Sequence, residues 1–121
     1  MAFQLKRAYD PPARSDGYRV LIDRLWPRGV SKQGADLDEW ARELSPSNGL
    51  RRWFGHDPAK FDEFRRRYRD ELEAHDDKLR DLRSRARKGT VTLVYGARDT
   101  EHNDAVVLAE LLRSGARNRG G

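Results

Sequence analysis

Two stretches of this 121-residue chain concentrate side chains able to do chemistry: Asp23-Arg24-Leu25-Trp26-Pro27-Arg28-Gly29 and Tyr95-Gly96-Ala97-Arg98-Asp99-Thr100-Glu101-His102-Asn103. Arginine binds phosphate or carboxylate through two parallel hydrogen bonds, so Arg24, Arg28 and Arg98 are the candidates for holding an anion. Trp26 would form an apolar wall of the site. His102 has an ordinary pKa near neutrality and is by type the acid–base candidate, with Tyr95 a second candidate for proton transfer. Asp23 or Asp99 would orient an arginine or the histidine. Asn103 stands where a helix begins, and free backbone N–H groups there attract anions. The same residues also have a purely structural account. Asp99 can pair with Arg98 or Arg24, His102 can cap a helix, and Trp26 can stack on a proline turn.

Several chemistries are excluded. There is no cysteine, so thiolate nucleophiles, disulfides and cysteine metal sites are absent. The second stretch has one glycine and no Gly-Lys-Ser/Thr, so it is not a P-loop, and no dinucleotide glycine fingerprint occurs. Ser31, Ser45 and Ser47 lack a nucleophile-elbow context. Asp16, His56 and Asp57 do not have the spacing of metal ligands, so no metal is expected, and no cofactor is indicated.

Strands must deliver these clusters. Tyr18–Leu25 opens as an apolar, β-branched run, and Thr90–Tyr95 is apolar throughout; both read as buried strands. If they are parallel neighbours, both loops open at the carboxyl edge of one sheet, where α/β folds place ligands. Phe3–Arg7 alternates and reads as a first strand. Leu37–Leu44 fits helical spacing and strand length equally.

Helix signals fill the rest. Ser47 or Asn48 caps Gly49–Phe54, closed by Gly55. Asp57-Pro58 starts a helix over Pro58–Ala74 with the stripe Phe61, Phe64, Tyr68, Leu72. His75-Asp76-Asp77 breaks it. A further helix carries Leu79 and Leu82, closes on Arg83, Arg85, Arg87 and Lys88, and stops at Gly89. The last helix spans Asn103–Arg113. The whole predicts one α/β domain over residues 1–115, with its strands flanked by helices, and a flexible tail over 116–121.

Composition narrows the partners. Net charge is +5 and charged residues make up 37% of the chain, with a pI near 9.9. That balance suits an anionic partner: a small molecule first, with nucleic acid as the less favoured alternative, because acids are interspersed with the arginines. A protein with charged helices as its partner surface and no pocket chemistry is the third reading. No stretch has the length of a membrane span, and Met1–Tyr9 lacks the apolar segment of a signal peptide. A cytoplasmic location is expected, with no membrane partner. Nothing in the sequence sets an oligomeric state.

In order along the chain stand Asp23-Arg24-Leu25-Trp26-Pro27-Arg28-Gly29, Ser45-Pro46-Ser47 with Leu50-Arg51-Arg52-Trp53-Phe54, Phe64-Arg65-Arg66-Arg67-Tyr68 with Glu71-Leu72, and Val91–Asp99 with His102-Asn103. This pattern resembles the domain-of-unknown-function family 488 (DUF488), in its YeaO-like branch, from about Gln4 to Leu112. The resemblance implies a single compact α/β domain with a central, largely parallel sheet flanked by helices, and it implies that Asp38–Leu44 is a strand leading into the Ser45-Pro46-Ser47 turn. Another branch of that family carries cysteines around the last strand–helix loop. Here the corresponding positions are Tyr95 and Asn103, so thiol chemistry does not carry over. Methyl transfer is not implied either, because no methyl-donor glycine loop is present.

Overall fold

A computed structural model describes residues 2–119, with side chains up to Ser114. Four parallel strands form one sheet in the order β1-β4-β2-β3. The strands are β1 (Ala2–Arg7), β2 (Tyr18–Leu21), β3 (Glu39–Trp40) and β4 (Thr90–Tyr95). The two strands that carry the candidate clusters are therefore hydrogen-bonded neighbours, with Val20 opposite Leu93 and Leu21 opposite Val94.

Side-chain alternation divides the core in two. Val20, Ile22, Val91, Leu93 and Tyr95 point to one face, which α2 (Asn48–Phe54), α3 (Phe61–Leu72), α4 (Asp76–Lys88) and α5 (Asp104–Arg119) cover. The stripe read in the sequence, Phe61, Phe64, Tyr68 and Leu72, is buried there. Leu21 and Val94 point the other way, against Ala8, Trp26, Val30, Leu37 and Trp40. On that second face Arg19 is 2% exposed. Its guanidinium meets Asp16 Oδ2 at 2.6 Å and donates to the carbonyls of Ala35 and Asp36, closing the short helix α1 (Lys32–Ala35). Gly17 beside it has a φ of 64°, and a Cβ there would lie 2.3 Å from the Thr90 carbonyl oxygen, so only glycine fits.

Several boundaries differ from the sequence reading. β2 ends at Leu21 and not at Leu25, because the Asp23 carboxylate, in place of a backbone carbonyl, takes the Gly96 N–H at 2.7 Å. The chain then leaves the sheet, and Leu25 is 62% exposed. Over Leu37–Leu44 only Glu39–Trp40 is strand; Arg42–Leu44 is a 3-10 turn, held by a hydrogen bond from the Tyr68 hydroxyl to the Leu44 carbonyl. The helix expected from Pro58 begins as a 3-10 turn and becomes α-helical at Phe61. Arg83, one of the cations on which this helix was read to close, is buried and donates to the carbonyls of Leu111 and Leu112. α5 passes the expected end at Arg113. The tail expected at 116–121 thus overlaps helical backbone as far as Arg119, and its last two residues lie outside the described residues. No helix among the described residues is long and apolar enough to cross a membrane.

Tyr68 gives a first prediction. Its ring is fully buried and its hydroxyl holds the turn before α2. Tyr68→Phe strands the Leu44 carbonyl, and urea unfolding is expected to read a loss of about 1–2 kcal/mol. No change in the unfolding midpoint would show that the carbonyl finds water instead.

Candidate functional site

At the carboxyl ends of β2 and β4 the structure opens a cleft of about 270 Å³. One wall is the segment that leaves β2, from Asp23 to Pro27; the floor is Gly96-Ala97 with Asn103-Asp104 at the start of α5. Arg51, Phe54 and His56, from α2 and the turn after it, form the opposite wall, and Tyr9 and Pro46 stand at its sides. Gly55 and His56 both have positive φ, 54° and 58°, which turns the chain so that His56 joins Phe54 in the cleft. A side chain at position 96 would press to 3.2 Å from Asp23 Oδ2, so glycine lets this carboxylate sit directly on the end of β4.

Asp23 and Asp104 are the chemical centre of the cleft. Both carboxyls line the cleft, and each acts directly on the ionisation of the other. Two neighbouring carboxylates cannot both ionise freely, so the pair holds one proton. Burial and the charge of Asp23 push Asp104 well above the usual carboxylate range. Burial also raises Asp23 above the ordinary value, although less far, because Asp104, the Gly96 N–H, His56 and Arg51 offset part of it. We therefore place the proton on Asp104 and the charge on Asp23. Asp104 retains some surface toward the cleft although protein surrounds its carboxyl.

Arg24 is half-buried between this cleft and a smaller polar one lined by Glu43, Ser45, Ser47, Glu71 and His75. Its Nε is buried and has no hydrogen-bond partner among the described residues. Trp26 is fixed by donation to the Val30 carbonyl at 2.6 Å and by edge contact with Trp40, centroids 5.3 Å apart.

The structure thus brings Arg24, Trp26 and Asn103 of the sequence candidates into one cleft, with Asp23. Asn103 caps α5, accepting from the Val106 N–H at 3.0 Å and donating to the Asp99 carbonyl. Tyr95 is buried in the core and is not among the lining residues, and burial raises its hydroxyl above the usual tyrosine range. Arg28, Arg98, Asp99 and His102 are not among the lining residues. Arg28 and Arg98 are exposed. Asp99 accepts from the N–H groups of Glu101 and His102 and meets His102 Nδ1 at 2.9 Å; these backbone bonds first, and the histidine after them, hold its carboxyl below the ordinary value. The His102 ring stands edge-on to Phe61. Among the described residues, no three histidines or acids are grouped to hold a metal.

The arginine-rich faces of α3 and α4 are largely matched by acids: Arg65 with Glu110, Arg67 with Glu63, Arg80 with Asp76 and Arg85 with Asp81. A set of exposed, internally paired charges of this kind is a solvated surface.

A parallel α/β domain with a mixed-charge cleft at its strand ends, and no thiol in it, is the class of protein these observations define. The chain belongs to the DUF488 family: the model described as "Inactive DUF488-N3 subclade" matches residues 2–120. It is 46% identical over 114 residues to YeaO of Escherichia coli (strain K12), an uncharacterised protein, covering 94% of this chain and 99% of the relative. It is 40% identical over 110 residues to the uncharacterised proteins Rv3073c of Mycobacterium tuberculosis (strain ATCC 25618 / H37Rv) and Mb3100c of Mycobacterium bovis (strain ATCC BAA-935 / AF2122/97), covering 90% of this chain and 92% of each relative. No solved structure matches the chain.

Proposed function

We propose that the protein binds a small anionic molecule in the cleft between the ends of β2 and β4. The observation that carries this reading is Arg24, which lines the cleft and whose Nε is buried with no partner among the described residues. A buried donor left unpaired costs roughly 1–3 kcal/mol, and an acceptor brought by a ligand would recover it. Arg51 lines the same cleft and adds a second cation. Trp26 and Phe54 supply apolar contact, and the Asn103 cap places the amino end of α5 on the floor. The subclade's description as inactive, and the absence of cysteine, favour binding over catalysis. The matched charges of α3 and α4 weigh against nucleic acid as the partner.

Methyl phosphate is the simplest probe. It is expected to raise the thermal unfolding midpoint, because a ligand that binds only the native state stabilises it by mass action. Arg24→Ala and Arg51→Ala are expected to abolish the shift while still unfolding cooperatively. Arg98→Ala, exposed and outside the lining, is expected to keep it. No shift in the parent protein at millimolar probe, or an undiminished shift in Arg24→Ala, rejects the anion site.

A further inference from the structure

The charges of the cleft are arranged in two halves. Arg24 and Arg51 offer two positive charges, and the Asp23–Asp104 pair, sharing one proton, offers one negative charge. The balance of the three is one positive charge. An anion alone satisfies the arginine half but leaves the carboxylate half facing it. Asp23 accepts from the Gly96 N–H at 2.7 Å. An ionised carboxylate has about four lone-pair sites, so acceptor capacity remains on the carboxylate that lines the cleft. Whatever lies against it must donate a hydrogen bond. A hydroxyl is a group that donates there without adding any charge. Trp26 and Phe54 also line the cleft and offer surfaces for a carbon skeleton. At about 270 Å³ the space falls near the small end of ligand sites, which begin at roughly 300 Å³.

We propose that the cleft takes a hydroxyl-bearing phosphate monoester of sugar size, its phosphate on Arg24 and Arg51 and one of its hydroxyls donating to Asp23. This rests on the anion-binding reading above and adds the carboxylate half to it. Asp104 is the positioning residue: it supplies the proton that lets Asp23 stay ionised beside it without a second negative charge in the cleft. The other titratable and charged groups around the pair are Arg24 and His56 on the loops, Arg51 on α2, and Tyr68 and Tyr95 from α3 and β4.

The test compares ribose 5-phosphate with methyl phosphate by calorimetric titration of the full chain at one pH. The two probes carry the same phosphate monoester, and only the first has hydroxyls. Ribose 5-phosphate is expected to bind about tenfold more tightly or better. Asp23→Asn, which keeps an acceptor for the Gly96 N–H and removes the charge, is expected to shrink that preference to about threefold or less. Equal binding of the two probes by the parent protein overturns the proposal and leaves the anion reading standing. Failure of both probes to bind overturns both. A preference that survives in folded Asp23→Asn overturns the assignment of the hydroxyl to Asp23; should that variant not fold, the comparison in the parent protein still decides.

Discussion

Asp16→Ala is expected to remove about 3–5 kcal/mol of folding stability, the cost of leaving one member of a buried ion pair without its partner. That is a large fraction of the roughly 5–15 kcal/mol that holds a typical domain together. Asp16 and Arg19 are each 2% exposed, and Asp16 also accepts from Lys6 and from the Ala13 N–H. Without the carboxylate, the Arg19 guanidinium keeps only the carbonyls of Ala35 and Asp36 and is buried with an unbalanced charge. Urea unfolding at neutral pH should show a lower midpoint with an unchanged slope, the signature of lost stability in an otherwise two-state transition. A loss below about 1 kcal/mol would mean that water reaches Arg19. The pair also carries an acid dependence. Burial raises Asp16, but the hydrogen bonds from Ala13, Lys6 and Arg19 outweigh it and hold the folded carboxyl below its ordinary value. Its contribution is therefore complete above the unfolded value, about pH 4, and is lost as the pH falls through the lower folded one.

Much of the fold was legible in the sequence because apolar periodicity encodes it directly. β4 and the α3 stripe are continuous patterns, and Ser47, Asp57 and Asn103 mark helix starts by the side-chain oxygens that cap them. Arg19 and Arg83 were illegible for the opposite reason. A charged residue in a charged sequence reads as surface, and only tertiary structure reveals the carbonyls that each one binds. β2 was overextended because Ile22 is as apolar as the residues before it, while the event that ends the strand is the turning of Asp23 onto Gly96, a contact across 73 positions.

The candidate site was legible in the same uneven way. Arg24 and Trp26 follow a strand, and the rule that ligands gather at strand ends finds them. Arg51 and His56 reach the cleft from α2 and its left-handed exit, and no local pattern announces that route. His102 was attractive by type, but Asp99 folds the loop back on itself and turns the ring toward Phe61. Asp104 looked like an ordinary acid in the first turn of a helix. Its significance comes entirely from meeting a second carboxyl that is distant in sequence.

Asp104→Asn is expected to stabilise the protein near neutral pH, because it removes the cost of taking up on folding a proton that the unfolded carboxyl has released. Asparagine keeps the oxygen that accepts from the Ala105 N–H and removes the group that must hold a proton. The pH dependence identifies the cause. Asp104 is raised well above the usual range, chiefly by burial and then by the charge of Asp23, so the folded state binds a proton that the unfolded state has released. The parent protein should accordingly lose stability as the pH rises from the unfolded value, about pH 4, through the higher folded one. The gain in Asp104→Asn should shrink toward zero near the lower limit and grow upward, as read by unfolding midpoints across that window. A gain independent of pH would assign the effect to packing and not to the shared proton. The same substitution should leave ribose 5-phosphate binding close to that of the parent protein while it strengthens the fold, because an amide facing Asp23 donates as the protonated Asp104 does and leaves the charge on Asp23.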